Sequence, residues 1–258
     1  MLLLHGFPQS SHQWRHQLPA LGEAGYRAVA PDQRGYSPRS RPPDVADYAV
    51  DRLVADVLAL AGVLGADRFH LVGHDWGGIV AWLVATRHPD RLISLTAVST
   101  PHPAALLDAL RSPSTDQAAR SAYVKFLQTR ALPELVLLAA GGAGLRALFA
   151  WTGGVEPSAV DEYVALLSQP GALTAALNWY RALDLDTGDA FRPDPVRVPT
   201  LYVWSTDDPA LGREAAEATA SHMDGPYRFV ELDGVSHWVP EDAPDKLTRL
   251  LLEHLAAA

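Results

Sequence analysis

Short apolar runs alternate along the chain with stretches whose apolar residues recur at helical spacing, a rhythm that predicts a parallel sheet covered by helices. The runs Leu2–Leu4, Arg27–Ala30, Phe69–Val72, Leu92–Val98, Val198–Trp204 and Tyr227–Leu232 are nearly unbroken, as strands buried on both faces require. Between them Leu53, Val57, Leu60 and Leu64 fall on one helical face, as do Leu247, Leu250, Leu251 and Leu255. Trp76 to Ala85 is apolar nearly all round, which predicts a central helix covered on every side.

Residues 100 to about 192 break this rhythm. They read as helices over Ser114–Arg130, Pro133–Ala140, Leu145–Trp151, Ser158–Ser168 and Leu173–Leu183, with no strand pattern between them. The expected organisation is a sheet domain from 1–99 and 193–258 with a helical cap over 100–192, closed by the Pro-rich stretch Arg192–Pro199. Gly141–Gly144 reads as a helix–helix turn, since no strand precedes it to make a phosphate cradle.

Composition narrows the chemistry. With no cysteine among 258 residues, disulfides, thiolate zinc sites and cysteine nucleophiles are excluded. A net charge of -9 without a long basic run argues against nucleic acid or an anionic membrane as partner. No run of 18 or more apolar residues appears. Met1–Leu4 is too short for a signal peptide, and lacks a charged leader and a cleavage site, so the expected location is cytoplasmic. There is no H-E-x-x-H and no P-loop, so neither metal nor organic cofactor is expected.

The most informative segment is Phe69-His70-Leu71-Val72-Gly73-His74-Asp75-Trp76-Gly77-Gly78, an apolar strand running through G-x-D-x-G straight into a helix. This is the strand–nucleophile–helix elbow usually written G-x-S-x-G, in which small residues give the sharp turn room. It presents Asp75 at the carboxyl end of the sheet, beside a helix N-terminus that favours an anion. A dinucleotide-binding turn is the competing reading, but G-x-G-x-x-G would need glycine where Asp75 stands. A carboxylate attacks a saturated carbon by displacement and leaves an ester that a second step must hydrolyse. The expected partners are therefore water and a small hydrophobic electrophile.

Hydrolysing that ester needs a base, and His237 is best placed of the histidines, following the last strand run and preceding the C-terminal helix. A carboxylate must fix its tautomer. Asp207 and Asp208 both follow Val198–Trp204; Asp208 is preferred, with Asp207 a loop or capping residue. The backbone N–H groups of Phe7 and Trp76 are the natural oxyanion donors. His5 and His74 read as structural.

H-G-F-P at 5–8, P-D-Q-R-G-Y-S at 31–37, G-H-D-W-G-G at 73–78, Asp207-Asp208-Pro209 and G-V-S-H-W at 234–238 together resemble the epoxide hydrolase branch of the α/β-hydrolase fold, whose relatives include haloalkane and haloacetate dehalogenases. The resemblance runs the length of the chain. It implies a mostly parallel sheet with helices on both faces and an inserted helical cap, whose two tyrosines hold the epoxide oxygen and protonate the leaving alkoxide. Tyr180, within Leu177-Asn178-Trp179-Tyr180-Arg181, matches the second of these, and Tyr123, within Ser121–Gln128, matches the first. The family's first two strands have no counterpart ahead of Met1. Either the start is misplaced or trimmed, or the sheet edge is altered, in which case Arg27–Ala30 is an exposed edge prone to pairing.

Three functions are weighed. An epoxide hydrolase is favoured. A dehalogenase shares the nucleophile, but haloalkane enzymes often carry Asn where this chain has Phe7, and haloacetate enzymes often carry Arg where it has Trp76. A non-catalytic ligand-binding protein would show a lost triad member, and Asp75, Asp208 and His237 are all present. Trp151, Phe149 and Phe126 suggest an apolar cavity, with cap core as the safer reading. A monomer or homodimer fits equally.

Overall fold

The computed structural model describes residues 1–183 and 194–258. Five strands, β1 (Leu2–Leu4), β2 (Phe69–His74), β3 (Leu92–Val98), β4 (Thr200–Asp207) and β5 (Tyr227–Ser236), pair in chain order, every pair parallel. Parallel neighbours need helical crossovers. Outside the β3–β4 connection these are α1 (Gln17–Glu23), α2 (Val50–Val63), α3 (Trp76–Arg87) and α10 (Arg213–Ala218), with α11 (Val239–Asp242) and α12 (Pro244–Ala257) after the last strand.

Successive strand side chains point to opposite faces, and the two faces build two cores. Leu2, Leu4, Leu71, Leu95 and Tyr202 pack with α2 and α3. Leu3, Val72, Val98, Leu201 and Val203 pack with Leu21 of α1 and with Leu247, Leu251 and Leu255 of α12. From Trp76 to Ala85 every residue of α3 is buried, as its unbroken apolar sequence predicts.

The β3–β4 connection holds α4 (Pro103–Arg111), α5 (Gln117–Arg120), α6 (Tyr123–Gln128), α7 (Leu132–Thr152), α8 (Pro157–Leu167) and α9 (Ala172–Arg181). Named side chains join this insertion to the sheet domain. The Trp179 indole N–H donates to the Arg34 carbonyl at 2.8 Å. The Tyr163 hydroxyl donates at 2.5 Å to buried Glu241, which also takes Arg15 at 2.8 Å.

Several expectations are corrected. Arg27–Ala30 does not form a strand: only Val29 pairs with β1, through a single parallel bridge to Leu2, its N–H reaching the Met1 carbonyl. The stretch Ser114–Arg130 divides into α5 and α6 at Ser121–Ala122, and α4 has no counterpart among the predicted helices. Conversely, β5 continues four residues beyond Leu232, to Ser236. The expected helix–helix turn lies at Ala139–Gly142, where all four residues leave helical φ/ψ and divide α7. Leu132–Trp151 is long and apolar enough to cross a membrane by composition, which the count of unbroken apolar residues passed over because Glu134 and Arg146 interrupt it. The break at Ala139–Gly142 removes the continuous helical backbone that a lone span requires. The proposed cap boundary at 192/193 and the start of the Pro-rich stretch lie outside the described residues.

Candidate active site

Because the strands run parallel, their carboxyl ends share one rim of the sheet. The residues following β1, β2, β4 and β5 therefore meet although they lie far apart in sequence. Asp75 follows β2 with φ 53° and ψ −122°, a left-handed backbone that a non-glycine residue adopts only when its surroundings enforce it. Its carbonyl accepts the N–H groups of Gly78 and Ile79 and the Thr100 hydroxyl. The turn is possible because nothing fills the space beside it. A Cβ on Gly73 would lie 2.2 Å from the Gly77 carbonyl oxygen, and one on Gly77 2.3 Å from that of Leu4.

The carboxylate's two oxygens have different neighbours. Oδ1 accepts the Phe7 N–H at 2.7 Å, and the Trp76 N–H dipole favours the charge on the same carboxylate. Oδ2 lies 3.6 Å from His237 Nε2, close enough for charge attraction and too long for a hydrogen bond. Burial pushes the Asp75 pKa up, but the neighbouring His237, His74 and the Trp76 N–H outweigh it and hold the group below the usual carboxylate value.

His237 follows β5 and is 5 % exposed. Its Nδ1 lies 2.6 Å from Oδ2 of Asp208, whose side chain is wholly buried. Oδ1 of Asp208 takes the N–H groups of Ala210 and Leu211 at 2.8 and 3.0 Å. Burial alone would lower the His237 pKa, yet the Asp208 charge and hydrogen bond, with Asp75 behind them, raise it to about 10. The imidazole is therefore a cation at neutral pH. Asp207, one residue earlier, is exposed and accepts from the Thr206 hydroxyl.

The two tyrosines sit on the inserted helices. Tyr180 of α9 is buried with its ring edge-on to Phe7 at 5.4 Å and Trp76 at 5.1 Å. Tyr123 opens α6 and is 37 % exposed. Both line the cavity over Asp75. Burial raises both phenol pKa values; the Asp75 charge adds to this for Tyr123, and Tyr123, then Asp75 and Tyr36, add to it for Tyr180. Both hydroxyls keep their protons at neutral pH and remain donors.

That cavity has two lobes meeting at Asp75, Tyr123 and Tyr180. One is walled by Ile79, Leu106, Leu107 and Leu110. The other is walled by Phe126, Leu137, Leu148 and Trp151 and reaches His237. Phe126 and Trp151 thus face the cavity, whereas Phe149 is core, 3 % exposed. Among the described residues no cluster of three or more His, Asp or Glu side chains is arranged to hold a metal.

His5 and His74 take supporting positions. His5 accepts the Gln33 N–H, and Gln33 returns its side-chain N–H to the His5 carbonyl. The His74 ring donates to the His237 carbonyl at 2.9 Å, which Ser99 Oγ also reaches at 2.8 Å. Burial and then the His237 charge lower the His74 pKa to about 4, so it stays neutral. Ser99, Thr100, Gln117 and Arg120 are contacts that residue pattern did not single out, since each bonds to backbone of a distant segment.

Gly6 sets a tight limit beside the carboxylate, because a Cβ there would lie 2.2 Å from Asp75 Oδ1. Gly6→Ala is expected to displace the carboxylate from the Phe7 N–H and cut turnover about 100-fold, with the circular dichroism spectrum kept. Turnover within two-fold of the unaltered protein would show that the carboxylate does not work from this position.

The fold agrees with the comparisons to known proteins. The chain belongs to the α/β-hydrolase fold family, whose profile matches residues 1–244, and it is a hydrolase. It is 34 % identical to epoxide hydrolase A of Mycobacterium tuberculosis, over 99 % of this chain and 89 % of that protein. Among solved structures, an epoxide hydrolase from metagenomes of hot environments is 32 % identical with a TM-score of 0.86, covering 100 % of this chain and 90 % of that one. The Bacillus megaterium epoxide hydrolase is 27 % identical with a TM-score of 0.90, covering 99 % and 93 %. Within the fold, the chain's place is the epoxide hydrolase branch.

Proposed function

We propose that this protein opens small apolar epoxides to vicinal diols through an ester on Asp75. The observation that carries the reading is the meeting of three groups in one apolar cavity: a carboxylate fixed in a sharp elbow and two protonated phenols. A halide leaves unaided, whereas an alkoxide is a poor leaving group and needs an acid, so the phenols favour the epoxide.

In the first step Asp75 Oδ2 attacks an epoxide carbon. The carbon–oxygen bond breaks towards oxygen, and Tyr180, with Tyr123 beside it, gives that oxygen its proton. The products are a hydroxyalkyl ester and a tyrosinate. Esterification removes one of the two negative charges that hold the His237 proton. The imidazolium then gives its proton back to the tyrosinate and becomes a base. In the second step neutral His237, oriented by Asp208, takes a proton from water as the water oxygen attacks the ester carbonyl. The oxyanion forms on Oδ1, which the N–H groups of Phe7 and Trp76 stabilise. Its collapse breaks the bond from the carbonyl carbon to Oδ2. That oxygen leaves with the diol, taking up the proton of the carboxyl group just formed, and Asp75 returns as a carboxylate beside protonated His237.

A single turnover in ¹⁸O-water with enzyme in excess tests this route. The first diol should carry no label, and the label should appear in the Asp75 carboxylate. Label in the first diol would mean direct attack by water and would remove Asp75 as nucleophile.

A further inference from the structure

Asp208 fixes His237, but the short loop that carries Asp208 needs a fixture of its own. Between β4 and α10 the residues Asp208–Gly212 form no regular ladder, and their backbone groups reach outward for partners. Three of these groups are satisfied from the helical insertion. Gln117 of α5 accepts the Gly212 N–H at 2.8 Å through Oε1, and its Nε2 donates to the Ala210 carbonyl at 2.8 Å. The same nitrogen donates to Ser121 Oγ at 2.9 Å. Arg120, on the same helix, donates from Nη1 to the Asp208 carbonyl at 2.8 Å.

Gln117 is 1 % exposed. A buried amide with both ends occupied is expensive to leave unmatched, so this side chain holds the loop in one place. Its third bond, to Ser121, ends two residues before Tyr123, where α6 begins.

We infer that Gln117 is a positioning residue for hydrolysis of the Asp75 ester, clamping the Asp208–Gly212 loop so that Asp208 keeps its grip on His237. The inference rests on the two-step reading above. Charged and titratable groups facing His237 are Asp208 from its own loop, and Asp75 and His74 from the elbow. Loosening Asp208 removes the strongest support of the imidazolium, so the base should become easier to deprotonate and worse oriented at once.

The test separates the two steps by rapid quench with styrene oxide, in Gln117→Leu and in the milder Arg120→Met. Gln117→Leu is expected to form the ester within about two-fold of the unaltered protein's rate. It should hydrolyse the ester about ten- to a hundred-fold more slowly, with the acid limb of the hydrolysis pH profile moved to lower pH. Arg120→Met should change hydrolysis in the same direction by less, and keeps the question answerable if Gln117→Leu does not fold. Equal slowing of both steps, or an unchanged hydrolysis rate and pH profile in the folded variants, would reduce Gln117 to a structural contact. If the unaltered protein forms no ester at all, the two-step reading fails, and this inference fails with it.

Discussion

His237→Gln should stop the reaction halfway. Asp75 keeps the Phe7 N–H in this variant and stays placed to attack, while loss of the His237 charge lets burial raise its pKa, so ester formation should shift to higher pH. The phenols are untouched and can still protonate the opened oxygen. What disappears is the base for the second step, a contribution of about 10²- to 10⁴-fold, and turnover should fall by that order while the ester accumulates. Intact-mass spectrometry after exposure to an aryl epoxide should show the gain of one whole epoxide, on the peptide containing Asp75. A whole-epoxide gain is diagnostic because ring opening expels nothing. If bromoalkanes instead label the variant, with gain of an alkyl group and loss of bromide, the protein is better described as a dehalogenase. A folded variant that gains no mass from either reagent, with no turnover by the unaltered protein, would leave neither description standing.

Tyr180→Phe with Tyr123→Phe should fail one step earlier. Each hydroxyl can act as donor, so either single variant keeps one acid, and its ester formation should fall about ten-fold. The double variant leaves the alkoxide without a donor, and the loss should reach about 10³-fold or more, beyond the product of the single losses. Hydrolysis of an ester already formed should change little, because His237 and Asp208 are intact. Single-turnover rates of ester formation provide the measurement. A double variant within ten-fold of the unaltered protein would show that the oxygen gets its proton elsewhere, and the phenols would revert to packing.

The elements that sequence made legible are those whose physics is local. β2 and the elbow could be read because a continuous apolar run, two crowded glycines and a fully buried helix lie in one contiguous segment. The five parallel strands followed from runs that only a doubly covered sheet explains. What remained ambiguous depended on register or on distant contacts. Asp207 and Asp208 are adjacent acids after the same strand, and spacing alone does not separate them. The register between β4 and β5 shifts between Ser205 and Asp207, leaving Asp207 in solvent while Asp208 lies against His237. Arg27–Ala30 has a strand's composition, but pairing has to be supplied by a neighbour, and only Val29 finds one. Gln117 was not legible at all, because its partners at 210 and 212 come from the far side of the insertion. Trp151 shows the same limit from the other side, since an aromatic in an apolar helix reads as core until the cavity beside it is known.

The rim of the parallel sheet has a metrological consequence. The groups of the site hang from the ends of β1, β2, β4 and β5, and neighbouring strands in a sheet stand about 4.8 Å apart whatever their sequences. The ladder of backbone hydrogen bonds therefore serves as a ruler, setting the reacting groups apart by a length that no side chain chooses. Tolerance is tight along the strands too, where a slip of one residue would carry a group about 3.3 Å and turn it to the opposite face. Alignment of the site is thus inherited first from the sheet, and the loops carrying Asp208 and His237 complete it.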